Sequence, residues 1–149
     1  MLKVLMVCLG NICRSPLAEG ILKSKIDPSK VYVDSAGTGG WHIGELPDPR
    51  SVAIAAEHDL DLTDQRCRKF VAEDFEKFDW IFVMDQSNLK DVLSMARHEK
   101  DLNKVKLILD VLDPDGGNEV PDPYYGGSGG FESVFQLLNE ACEELVKEL

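Results

Sequence analysis

Two short patterns meet at Cys8-Leu9-Gly10-Asn11-Ile12-Cys13-Arg14-Ser15, a strand before it and a helix after it, and that junction constrains the fold more than any other stretch. Upstream, residues 3–8 read KVLMVC, an apolar run rich in β-branched residues that ends at Gly10-Asn11. Cys8 is therefore expected at the carboxyl end of a strand. Downstream, Ser15 is suited to cap a helix, Pro16 to its first turn, and Leu17, Ala18, Ile21 and Leu22 recur on one helical face.

A strand, a tight loop and a helix N-terminus in that order make an anion site. Successive N–H groups of Leu9, Gly10, Asn11, Ile12, Cys13, Arg14 and Ser15 can point inward, and the helix end adds positive potential, so phosphate oxygens can be held with few cationic side chains. Arg14 supplies a planar fork for bidentate binding. Gly10 permits close backbone approach, and Asn11 tolerates the left-handed conformation that such a turn needs. The same surroundings favour the anion of Cys8, because helix N-termini and neighbouring cations lower a thiol from ~8.5 to roughly 3.5–7.5. Ser15 can donate its hydroxyl hydrogen to that sulfur, stabilising it as an attacking anion and later as a leaving group.

A thiolate that attacks phosphorus needs an acid to protonate the departing oxygen. Asp122 in Pro121-Asp122-Pro123-Tyr124-Tyr125 is the candidate, its backbone restricted by prolines on both sides, with the glycines of residues 126–130 able to fold the segment back towards the first loop. A well-placed acid of this kind contributes about 10² to 10⁴ in rate. The pair must work with Cys8 ionised and Asp122 protonated, which predicts maximal turnover on the acidic side of neutrality. Trp41 and the Tyr124-Tyr125 pair lie in glycine- and proline-rich loops and are expected to wall an aromatic slot above the phosphate.

The remaining segments alternate between strand-like and helix-like patterns, as in an open, largely parallel α/β sheet. Residues 31–35 read as a second strand, Asp48-Pro49 opens a helix to about His58, residues 78–84 give a third strand, 87–96 a helix and 105–109 a fourth strand. Phe131, Val134, Phe135, Leu138, Cys142, Leu145 and Leu149 mark a final amphipathic helix. Trp80 is expected in the core. Asp85, Ser87 and Asn88 stand where they can brace the first loop, with helix capping the simpler role for Ser87.

The 149 residues suit one domain over 1–149. No run is long enough to span a membrane, and residues 4–9 are too few for a signal peptide. Four cysteines (Cys8, Cys13, Cys67, Cys142) without a secretory signal point to reduced thiols in the cytoplasm. Cys13 reads equally as a small packing residue and as a partner for Cys8 in a reversible disulfide. A formal charge of −11 opposes nucleic-acid binding, although residues 1–30 carry more basic than acidic side chains. His42, His58 and His98 have neither the spacing nor the acidic partners of a metal site, so no metal and no cofactor are expected.

CLGNICRSP near the amino terminus, DPYYGG near the carboxyl terminus and an internal MDQSN together resemble the low-molecular-weight protein tyrosine phosphatases across essentially the whole chain. The resemblance implies a three-layer α/β fold whose four-stranded parallel twisted sheet has helices on both faces and the phosphate loop after its first strand. It implies a nucleophile at Cys8, a phosphate clamp at Arg14 and an acid at Asp122. It also implies a phosphocysteine intermediate, phosphotyrosine proteins as substrates, inorganic phosphate as product and a monomer. Ser35 is similar to a family position that hydrogen-bonds the loop asparagine, here Asn11. In the family the aromatic position of Trp41 tunes substrate choice, the tandem tyrosines can be phosphorylated, and the second loop cysteine can trap the nucleophile.

Arsenate reductases share the first loop but need a further cysteine pair after the third strand, where this chain has none between Cys67 and Cys142. Bacterial protein-arginine phosphatases have a threonine where this chain has Ile12, which favours a flat aromatic ester. A phosphopeptide reader would need neither Cys8 nor Asp122.

Overall fold

In the computed structural model, which describes residues 1–113, 115–125 and 129–149, four strands form one wholly parallel sheet in the order β2-β1-β3-β4. The strands are β1 (Leu2–Cys8), β2 (Val31–Gly37), β3 (Trp80–Val83) and β4 (Val105–Leu107). The helices are α1 (Arg14–Lys23), α2 (Pro49–Glu57), α3 (Asp74–Lys77), α4 (Gln86–Leu93), α5 (Glu99–Lys104) and α6 (Gly129–Val146). Short 3₁₀ turns cover Ile108–Val111 and Pro123–Tyr125.

The apolar run of β1 makes sense once its position is known. It pairs with β2 along one edge, from Leu2 opposite Val31 to Cys8 opposite Gly37, and with β3 along the other, from Val4 opposite Trp80 to Val7 opposite Val83. Side chains alternate between faces. Val4, Met6 and Cys8 join the core formed with α1, α2 and α6, including Leu17, Ile21, Ile54, Phe135 and Leu138. Leu5 and Val7 join the opposite core with Phe70, Phe75, Phe78 and Val92. A strand buried on both faces needs the uninterrupted hydrophobicity that KVLMVC supplies.

The chain leaves β1 towards β2 and returns on the other side to β3, so the strand order reverses at β1. In open parallel sheets the crevice beyond the strand carboxyl ends at such a reversal is where ligands bind. Cys8 ends β1 at that crevice, and Asp85 follows β3.

Several boundaries differ from expectation. The third strand is confined to residues 80–83, because Phe78 closes α3 in extended conformation and packs into the core instead. The fourth strand stops at Leu107, and Ile108 and Leu109 stay buried within a 3₁₀ turn. Trp80 is half-buried rather than interior, edge-on to Phe82 with Lys106 over its ring. Among the described residues, no helix is long and apolar enough to cross a membrane.

Candidate active site

The phosphate loop is fixed by its carbonyls. Thr38 N–H donates to the Cys8 carbonyl at 2.9 Å, Gly39 N–H to Leu9 at 2.8 Å, and Asp48 N–H to Ile12 at 2.8 Å. The Cys67 thiol donates to the Asn11 carbonyl at 2.9 Å. Among the described residues, no intramolecular acceptor is found for the amides of Gly10, Asn11, Ile12 and Cys13. With carbonyls pinned outward and amides unclaimed, the loop is an anion nest at the start of α1. The approach of β2 requires glycine at one place: a Cβ on Gly37 would stand 2.8 Å from the Leu9 oxygen and 2.9 Å from the Asn11 nitrogen.

Asn11 holds the turn from within. Its φ of 57° lies in the left-handed region, where asparagine is among the best-tolerated residues after glycine. Its side chain, 2% exposed, donates to Ser15 Oγ at 2.8 Å and Ser35 Oγ at 3.0 Å, and accepts from Arg68 N–H at 2.9 Å. Ser35 in turn donates to Glu19 Oε1 at 2.6 Å. Burial pushes the Glu19 carboxyl up, partly offset by hydrogen bonds from Lys23 and Ser35. Because Asn11 occupies an acceptor site on Ser15, the Ser15 hydroxyl hydrogen is available to Cys8 Sγ at 3.0 Å, a shorter contact than the Ala36 carbonyl at 3.4 Å.

Ser15 therefore does not cap α1. The cap position falls on Cys13, with no side-chain hydrogen bond, because the serine is drawn to the thiol. Ser87 does not cap α4 either: Asp85 takes that place, accepting from Asn88 N–H at 2.8 Å through one carboxylate oxygen. Its other oxygen meets Arg14 Nη1 at 2.6 Å. This single carboxylate links the start of α4 to the phosphate loop across the strand reversal.

Arg14 is buried, yet its charge is well supported. Burial alone would depress the guanidinium, but Cys8, Asp85 and Asp122 more than offset it. Nη1 also donates to the Val120 carbonyl at 3.0 Å, and Nη2 lies 3.6 Å from Asp122 Oδ2. Cys8, Leu9, Gly10, Ile12, Cys13, Arg14, Trp41, His42, Asp122 and Tyr124 line one cavity of about 280 Å³. Cys8 is 2% exposed, whereas Trp41 is 68% and Tyr124 40% exposed. The sulfur is at the floor and the aromatic rings are at the rim.

Burial, then the Asp48 carboxylate, pushes Cys13 up to about 12, and burial, then Glu45, pushes Cys67 up to about 11. All four cysteines are unpaired. His42 is a wall residue that the sequence did not single out, its Nδ1 2.6 Å from Glu45. Arg68 and Glu19, beneath the loop, were missed too. The side chain of Tyr125 and the glycine run at 126–128 lie outside the described residues. Among the described residues, no cluster of three or more potential ligands is arranged for a metal ion.

Residues 3–149 match the family model of the low molecular weight phosphotyrosine protein phosphatases. The chain belongs to that family. A Bacillus subtilis low molecular weight protein-tyrosine-phosphatase, YfkJ, is 39% identical, with 100% of this chain and 96% of that protein covered. A protein tyrosine phosphatase from Entamoeba histolytica, solved with Hepes in its active site, superposes with a TM-score of 0.92 at 38% identity, covering 99% of this chain and 96% of that one. A Drosophila structure described as an arginine phosphatase superposes at 0.89 with 36% identity, covering 99% and 97%. The four-stranded parallel α/β fold is common ground with these relatives.

Proposed function

We propose that this phosphatase-family chain hydrolyses phosphotyrosine in proteins through a phosphocysteine intermediate. The supporting observation is the convergence of Cys8, Arg14 and Asp122 on one cavity whose floor is a nest of unclaimed amides. The phosphate of a bound substrate lies in the nest, its oxygens on the amides and on Arg14. Cys8 Sγ attacks phosphorus, an S–P bond forms, and the P–O bond to the tyrosine ring breaks while Asp122 passes its proton to the departing oxygen. Asp122, now a carboxylate, takes a proton from water as that water attacks phosphorus. The S–P bond breaks, sulfur leaves as a thiolate beside Ser15 Oγ, and inorganic phosphate is released.

Preorganised donors contribute here because they need not reorient as charge develops on the transferring phosphoryl group. The depth of Cys8 below Trp41 and Tyr124 favours a long flat ester, since a serine phosphate would leave its phosphorus short of the sulfur. The reading extends to a single-domain monomer working in the cytoplasm, where its unpaired thiols stay reduced. Rapid acid quench of turning-over enzyme followed by peptide mass analysis is expected to find phosphate on Cys8. Turnover without that adduct overturns the mechanism. A panel of phosphotyrosine, phosphoarginine and phosphoserine peptides, with Cys8→Ser as control, is expected to favour phosphotyrosine. Faster phosphoarginine turnover would place the chain beside its Drosophila relative instead.

A further inference from the structure

We propose that Arg50 is a positioning residue that clamps the Asp122 segment to the phosphate loop and so sets the aim of the proton donor; the proposal rests on the assignment of Asp122 as the acid. It starts from Asp48-Pro49-Arg50 at the beginning of α2. Asp48 is the cap, accepting from Arg50 N–H at 2.8 Å, and Pro49 fits the first turn. The same carboxylate receives Arg50 Nε at 3.1 Å and Nη2 at 3.0 Å, a two-armed grip that fixes the guanidinium plane. The remaining arm, Nη1, donates to the Tyr124 carbonyl at 3.2 Å. The guanidinium carbon lies 5.2 Å from the centre of the Tyr124 ring and 4.7 Å from that of Phe131, the aromatic residue near the start of α6.

The opposite side of this turn holds the phosphate loop. Asp48 N–H donates to the Ile12 carbonyl at 2.8 Å, and Ser51 Oγ approaches the Cys13 carbonyl at 3.5 Å. Thus one helix start touches both halves of a site whose parts are more than a hundred residues apart in sequence. The connection reaches the acid in one further step. Tyr124 offers its carbonyl to Arg50 and its N–H to Asp122 Oδ1 at 3.0 Å, so the guanidinium holds the residue whose N–H the Asp122 carboxylate accepts. Arg50 touches neither the sulfur nor the phosphate nest. Its effect is carried by the geometry of Asp122, and small displacements of a reacting group are costly.

The test is a cycle of Arg50→Ala and Asp122→Ala measured on phenyl phosphate, a poor leaving group, and p-nitrophenyl phosphate, an activated one. Arg50→Ala is expected to lower kcat/KM, which reports the leaving-group step alone, on phenyl phosphate by about tenfold and on the activated ester by less than about twofold, a fraction of what the acid itself contributes. In the Asp122→Ala background the same change should leave both rates within about twofold. Arg50→Lys, which keeps a cation over the rings but loses the fork, should fall between wild type and alanine. Equal losses on both esters, or an undiminished loss without Asp122, overturn the proposal by showing that Arg50 acts through the fold or the loop. If Asp122→Ala alone lowers kcat/KM on both esters alike, the acid assignment fails, and that is seen with Arg50 intact. Should thermal melting show that Arg50→Ala does not fold, Arg50→Lys carries the same cycle.

Discussion

The phosphate loop and the Asp122 segment serve one cavity but are held in opposite ways. The loop sits at the end of a doubly flanked strand, its carbonyls tied to the residues just after β2, to the cap of α2 and to Cys67, and its buried asparagine held by two serines and the Arg68 amide. Asp122 is exposed, accepts from the amide of its own turn, and faces Arg14 at 3.6 Å. A phosphoryl group has the same shape in every substrate, so its receptor can be built rigid and dry. The leaving oxygen belongs to a variable substrate, and its proposed proton donor, Asp122, is carried on a peripheral segment.

That contrast is testable, because damage to the loop should slow all aryl phosphates alike, whereas damage to the acid segment should separate them by leaving group. Cys8→Ser is expected to reduce turnover of every ester by about 10⁴-fold or more in steady-state assays while inorganic phosphate still binds by calorimetry. Asp122→Ala should cost about 10³ in kcat/KM on phenyl phosphate and much less on p-nitrophenyl phosphate; a uniform loss in kcat/KM would erase the distinction between the two regions. Arg14→Lys should lower kcat about 10²-fold on both, since a point charge cannot reproduce the fork that faces Asp85, Val120 and the phosphate.

Asn11 sharpens the comparison further. Asn11→Ala leaves buried partners unsatisfied and a left-handed residue unsupported, with an expected loss of about 2–3 kcal/mol in denaturant unfolding and about tenfold in kcat on all esters. Asn11→Gly should recover part of the stability, by relieving the backbone, and little of the rate. The smallest effect concerns the thiols. With Cys13 raised to about 12 and Cys67 to about 11, both are protonated at neutral pH, so brief alkylation at pH 7 should label Cys8 first by peptide mapping, and added phosphate should slow it. Prior labelling of Cys13 would contradict that order.

The geometry of the loop was legible because Cys8, Asn11, Arg14 and Ser15 lie within one short stretch whose spacing sets it. The strands were legible as apolar runs, although the buried residues Ile108 and Leu109 extended the fourth one falsely: burial does not distinguish a strand from a 3₁₀ turn. Helices α3 and α5, four and six residues of mostly polar sequence, have too few turns to show a period. Both serine caps failed for one reason. Residue type announces capping ability, but a thiol claimed Ser15 and the carboxylate of Asp85 pre-empted Ser87, and only tertiary placement decides such competitions. Glu19, His42 and Arg68 are single polar residues with no local pattern, brought to the loop by sheet register and chain return.

The double pairing of β1 has a consequence for how the enzyme opens. Amide protons of residues 4–7, bonded within the sheet interior, should exchange with solvent only when the entire molecule unfolds, whereas those around Asp122 should exchange through local fluctuations. Deuterium uptake near the Cys8 sulfur is therefore a gauge of global stability, and an oxyanion that saturates the loop should slow it by the same factor by which it shifts the unfolding equilibrium.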